Sequence, residues 1–339
     1  MKSCPLVLLS AVSLAVALGG ASVIGQAGKE TVEAHVAAAK AAARQEHISL
    51  LNLCEAPSPT PASQPAQPAA AQPQGPPPRA QWHAEPVKVF DNLYWVGQTE
   101  YSAWAVTTSE GIILIDAIYE YSVEDEIVNG LTKLGLDPTK IKYVIVSHAH
   151  RDHAGGAKHL QDRFGARVIL GAADWDWLAS ETGAWPKPRR DMVATDGQRL
   201  TLGDTTLTLY ATPGHTPGTI STLVPVRDGG TPHLAAEWGG TGFNWLQGRA
   251  RYITPERPDR FWFENYINSA RRFRDIVAKA GADVLIANHP DRDGSKTKLP
   301  AVQKRKPGDP HPYVIGKESV QRYLTVAEEC AKAGLLRLK

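Results

Sequence analysis

A chain of 339 residues is long enough for about two average domains, or for one large domain with attachments. Its 42% hydrophobic and 21% charged content can bury a substantial core, which excludes a wholly disordered chain. Lys and Arg total 37 against 35 Asp and Glu, so the net charge of +2 supplies no excess for neutralising phosphates, and nucleic acid is not an expected partner.

Met1, Lys2 and Ser3 precede an uncharged run from Cys4 to Ile24 and small residues through Ala27. This is the layout of a secretory signal peptide over 1–27, and it implies a periplasmic or secreted protein. An N-terminal membrane anchor is the alternative, for which the strongly apolar stretch is short. Charges interrupt every later apolar run, so no membrane span is expected after cleavage. Loss of Cys4 with the signal leaves Cys54 and Cys330, which an oxidising compartment allows to pair; spacing alone leaves the pairing open.

Region 28–54 is expected to hold a helix, from Lys29 to His47, where Ala34, Ala37 to Ala39 and Ala41 to Ala43 alternate with charges. Region 55–81 reads as a stiff linker, because nine of the 25 prolines fall between Glu55 and Ala80. The globular domain is expected over 82–339. Short β-rich runs at Val87–Phe90, Leu93–Val96, Ala103–Thr107 and Gly111–Asp116 predict antiparallel hairpins. Apolar spacing predicts a helix over Val123–Leu134, followed by a buried strand at Tyr143–Val146. Further strands are expected at Arg167–Leu170, Thr205–Ala211, Thr222–Val226 and Val284–Ile286. Helices are expected at Ala157–Arg163, Asp259–Lys279 and Lys317–Lys332.

Directly after the strand at Tyr143–Val146 stand His148, His150, Asp152 and His153, four metal-ligand types within six positions. A strand ending in a sharp loop can aim His148 and His150 to one side and Asp152 and His153 to another, as a two-metal site requires. A histidine-rich surface loop is the alternative. It does not explain why His215, in Gly214-His215-Thr216-Pro217-Gly218, and His289, in Asn288-His289-Pro290, also follow apolar strands. His35, His47, His83, His159, His233 and His311 have no motif around them and read as surface or structural residues.

The three motifs together resemble the metallo-β-lactamase superfamily, over about Trp82 to Leu336. The resemblance implies an α+β fold, an αβ/βα four-layer sandwich with two zinc ions at one edge. Carried over position by position, His148, His150 and His215 would bind the first Zn²⁺, and Asp152, His153 and His289 the second. Two subclasses of class B β-lactamases use a cysteine between the third and last histidines, and no cysteine lies between Cys54 and Cys330. Glyoxalase II and related lactonases place a bridging aspartate after a later strand, where this chain has Glu237-Trp238-Gly239-Gly240. Glu237 is one possible substitute; Asp228, beside Gly229 and Gly230, fits a turn. The pattern is similar to the third subclass, with an Asp-His-His second site.

That likeness implies a monomeric dizinc hydrolase acting on a small molecule, opening the β-lactam ring of antibiotics. Asp152 would orient the attacking water and take its proton. The serines that contact the substrate in that subclass are absent; Thr241 and Asn244 are the nearest replacements. Ser147, Asp116 and Thr216 are expected behind the ligands. Trp175, Trp177, Trp185 and Trp238 either line a pocket or fill the core, and Arg249 and Arg251 either bind a carboxylate or lie solvated. A same-fold hydrolase of another ester, thioester or lactone is the alternative activity, and a non-catalytic metal-binding protein is a third reading.

Overall fold

The computed structural model describes residues 1, 30–55 and 75–338. The expected signal over 1–27, apart from Met1, and most of the expected linker lie outside the described residues. The elements follow in chain order: α1 (Val32–Ala43), a 3₁₀ turn (Ile48–Cys54), β1 (Val87–Lys88), β2 (Leu93–Trp95), β3 (Trp104–Thr108), β4 (Gly111–Ile115), α2 (Asn129–Lys133), β5 (Ile141–Ile145), α3 (Arg151–Ala154), α4 (Ala157–Phe164), β6 (Arg167–Gly171), α5 (Ala172–Ala179) and β7 (Met192–Ala194). There follow β8 (Gln198–Leu202), β9 (Thr205–Ala211), β10 (Ile220–Asp228), β11 (Thr231–Trp238), α6 (Arg249–Tyr252), α7 (Asp259–Ala280), β12 (Val284–Ala287), α8 (Ser295–Lys304) and α9 (Lys317–Leu336).

Two sheets result. The first runs in order from β1 to β7, antiparallel through β4 and parallel from β4 to β7. The second runs β12-β11-β10-β9-β8, with β12 parallel to β11 and the rest antiparallel. Successive strand residues face opposite sides, and both faces of each sheet are apolar. Ile113, Ile115, Ile145 and Ile169 meet Leu207, Leu209, Val224 and Ile286 between the sheets, while Ile112, Leu114, Val144 and Val168 join the helices outside. Helices therefore cover both outer faces, giving the four-layer sandwich.

The expected hairpins and long helices are present, with ends shifted by one to a few residues. The helix expected over Val123–Leu134 begins as a π-helical turn, Glu124–Val128, before α2. The strands β7, β8 and β11 and the helices α5, α6 and α8 had no counterpart in the sequence reading. Helix α7 buries Trp262, Phe263, Tyr266, Ala270, Phe273 and Val277 along one stripe and stops at Gly281, whose φ of 76° suits glycine.

The N-terminal segment is part of the same compact unit, which spans Thr31–Lys339. Thr31 caps α1 by accepting the Ala34 N–H at 3.1 Å. Its small buried residues Ala39 and Ala43 pack with Ala327 and Ala331 of α9 in one core. Cys54 and Cys330 form a disulfide across 276 positions, which resolves the pairing left open above. Among the described residues, no helix is long and apolar enough to cross a membrane.

Candidate metal centre

Strand β5 delivers a loop whose last residue, His150, is the N-cap of the short helix α3. His148 and His150 thus precede the bend, whereas Asp152 and His153 sit on the helix itself. His215 lies between β9 and β10, and His289 follows β12. All these loops leave the sandwich at one edge. The ligand atoms of His148, His150 and His215 lie within 4.8 Å of one another, and so do those of Asp152, His153 and His289. His153 Nε2 is 3.2 Å from both His289 Nε2 and Asp152 Oδ2, and the rings of His148 and His153 are 4.2 Å apart between the triads.

Each imidazole is fixed from behind. Nδ1 of His148 donates to the Gly239 carbonyl at 2.8 Å, Nδ1 of His215 to Gly242 at 2.9 Å, and Nδ1 of His289 to Glu100 at 3.1 Å. Nδ1 of His153 donates to Asp116 Oδ2 at 2.8 Å. These bonds leave the Nε2 lone pairs facing the centre. His150 is held the other way round, with Nε2 2.6 Å from the Tyr252 hydroxyl, which leaves Nδ1 free.

The donor set fits metal ions. Nε2 of His148 is buried without a hydrogen-bond partner, an arrangement that costs energy unless a cation accepts its lone pair. Burial first, and then neighbouring imidazoles, hold His148 and His215 well below the ordinary imidazole pKa. Burial likewise lowers His150 and His289 to about 4, so these four rings are neutral at pH 7, the form a metal ion requires. Burial opposes ionisation of Asp152, yet His153 and then His150 and His289 hold its carboxyl far below the usual range. Burial would lower His153 too, but Asp152 and Asp116 raise it.

Two buried aspartates connect the loops. Asp116 accepts from Ser147 N at 2.7 Å and Ser147 Oγ at 2.9 Å, besides His153. Asp174, on α5, accepts from Ala149 N at 2.8 Å, Thr216 Oγ1 at 2.7 Å and Gly218 N at 2.6 Å, binding the first histidine loop to the third. Burial raises its pKa to about 6 against those donors. Ser147, Asp116 and Thr216 therefore stand behind the two triads. Asp174 and Tyr252 were missed, since a lone aspartate or tyrosine carries no motif.

A cavity of about 540 Å³ faces both triads, and Asn244 and Thr241 line it. The Thr241 hydroxyl is 2.9 Å from that of Tyr323 and thus already engaged. Trp175, Trp177, Trp185 and Trp238 are core residues and do not line this cavity. Asp228 pairs with Arg305 at the turn between β10 and β11. Glu237 is fully buried, and both its carboxylate oxygens lack partners. Burial and then Asp116 push its pKa well up, and it lies outside both triads. The six other histidines have structural partners, such as Glu329 for His35 and Asp283 for His233.

Residues 96–229 match the profile of the Metallo-beta-lactamase superfamily. A motif mutant of the metallo-beta-lactamase from Cronobacter sakazakii is 30% identical, with a TM-score of 0.57 over 72% of this chain and 94% of that one. The subclass B3 metallo-beta-lactamase of Bradyrhizobium japonicum is 29% identical, with a TM-score of 0.61 over 73% and 92%. An N-acyl homoserine lactonase from Azorhizobium caulinodans is 29% identical across 55% of this chain and 72% of its own. With the sandwich, the paired ligand triads and these likenesses in agreement, the chain belongs to the metallo-beta-lactamase superfamily and is a hydrolase of it.

Proposed function

We propose that the chain is a dizinc hydrolase that opens β-lactam rings. His148, His150 and His215 hold one zinc, and Asp152, His153 and His289 the other. The observation that carries this reading is the second triad, made of Asp-His-His without cysteine or bridging carboxylate. Glycines stand in place of that carboxylate for a steric reason. A Cβ on Gly239 would be 1.7 Å from the Ile220 carbonyl oxygen, and one on Gly240 would be 2.5 Å from His215 Cβ.

Bound zinc supplies a water-derived nucleophile at neutral pH and polarises the scissile carbonyl. The protein's own residues do the rest. Asp152 faces the cavity, stays ionised at neutral pH, and is placed to orient the attacking water and take its proton. Asp116, Gly239, Gly242, Glu100 and Tyr252 hold the imidazoles in one orientation, so little reorganisation accompanies binding. Asn244 contributes an amide at the cavity wall. The Cys54–Cys330 disulfide supports export through an oxidising compartment, in line with the signal read at 1–27.

The likeness to an N-acyl homoserine lactonase favours lactone hydrolysis as the second reading. Turnover of a cephalosporin, a carbapenem and an N-acyl homoserine lactone, each with and without chelator, separates the two. We expect chelator-sensitive β-lactam hydrolysis with two zinc ions per chain; lactone turnover alone, at full zinc occupancy, refutes the β-lactam assignment. His148→Ala and His289→Ala should each lower bound zinc by about one ion, and unchanged metal content would remove that ligand from the assignment.

A further inference from the structure

The cavity over the two triads continues into a second groove of about 1130 Å³, and Asn244 and Arg292 line both spaces. One wall of the groove is Asn52, Leu53 and Glu55, from the N-terminal segment. Four arginines border these spaces, and three are already neutralised. Arg151 is held by both oxygens of Glu120. Arg249 spans the two oxygens of Asp259. Arg251 pairs with Glu181 and lies 4.3 Å from the Trp177 ring centre.

Arg292 differs. Its Nη1 donates to the Asn52 side-chain oxygen at 2.9 Å, a neutral partner that orients the guanidinium without cancelling its charge. Its Nε is 3.3 Å from Asp291 Oδ2, a single contact with a partly exposed carboxylate that engages one edge of the guanidinium. No hydrogen bond among the described residues uses Nη2. Asn52 is itself fixed, because Ser49 Oγ donates to the Asp291 carbonyl at 2.9 Å, His47 contacts the Ser319 carbonyl at 2.8 Å, and Cys54 is tied to α9.

We propose that Arg292, positioned by Asn52, anchors a carboxylate of the substrate. The proposal rests on the reading of the triads as the hydrolytic centre. It makes Arg292 the residue that reads the acid group, and Asn52–Glu55 the wall beside the substrate's other arm. A guanidinium offers parallel N–H donors that match a carboxylate, a contact Thr241 cannot make while its hydroxyl is shared with Tyr323.

The test compares a cephalosporin with its carboxylate methyl ester in the wild-type protein, Arg292→Ala and Asn52→Ala, reading KM separately from kcat. Calorimetry on the zinc-loaded proteins measures binding of the ring-opened acid and its ester. We expect wild-type protein to favour the acid by about 10- to 100-fold in KM and in Kd, a ratio that falls to near one in Arg292→Ala and several-fold in Asn52→Ala. An acid-to-ester ratio unchanged in Arg292→Ala, or absent from the wild type, overturns the anchor. If no β-lactam is turned over, the functional reading fails by itself, and the calorimetric ratio still decides for or against Arg292.

Discussion

Asp116 shows how one residue organises the second triad. Its φ of 64° is unusual outside glycine, and such strain persists only where surrounding contacts compensate. Here its carboxylate receives the Ser147 N–H, the Ser147 hydroxyl and the His153 ring at once. Asp116→Asn keeps the size but removes an acceptor from this set, so zinc affinity should fall about 10- to 100-fold. Competition with a chromophoric chelator measures this; an unchanged affinity would mean that His153 is oriented without Asp116. The members of both triads were legible in the sequence, because six residues of metal-binding type fall at the ends of apolar strands. Asp174 was not legible. In the string Asp174-Trp175-Asp176-Trp177 it resembles its neighbour Asp176, yet one is buried in the loop network and the other pairs at the surface with Arg190.

At the scale of elements, helices were easier to read than strands. Helix α7 carries its own apolar stripe, so local spacing predicts it. Strand β11 reads Thr231-Pro232-His233-Leu234-Ala235-Ala236-Glu237-Trp238, with weak β-formers, and is extended because β10 and β12 pair with it on both sides. Helix α1 was expected, and its docking on α9 was left open with the pairing of Cys54 and Cys330. Within that docked segment His47 meets Ser319 of α9, and burial holds its pKa at about 4, against an ordinary value near 6.5. Above pH 6.5 the ring is neutral whether docked or free and adds no pH dependence. As pH falls from 6.5 towards 4, the free segment takes up a proton that the docked one refuses, so docking weakens by about 3 kcal/mol. The protection factors of amides across Val32–Cys54, each corrected for the intrinsic exchange rate at its pH, should therefore fall between pH 7 and pH 4.5; equal protection factors at both values would refute this.

For the whole molecule, the disulfide closes a loop that spans almost the entire catalytic body, from Cys54 to Cys330. In the chain-entropy account, a cross-link over so long a loop mainly restricts the unfolded chain, and it is worth about 2 to 5 kcal/mol. Reduction, or Cys54→Ala with Cys330→Ala, should lower the urea midpoint correspondingly, without loss of zinc. An unchanged midpoint would show that packing of α1 on α9 alone secures the N-terminal segment.

The sequence by itself determined the residue types of the two triads, their order along the chain, and the absence of cysteine from the second. Each follows from a few adjacent residues behind an apolar strand. Only the tertiary structure decided that Tyr252 holds His150, that Asp174 joins two loops, and that Asn52 sets Arg292 beside the cavity. Asn52 and Arg292 are 240 positions apart, and a contact of that separation is created by sheet packing and a disulfide. No local period or propensity records it.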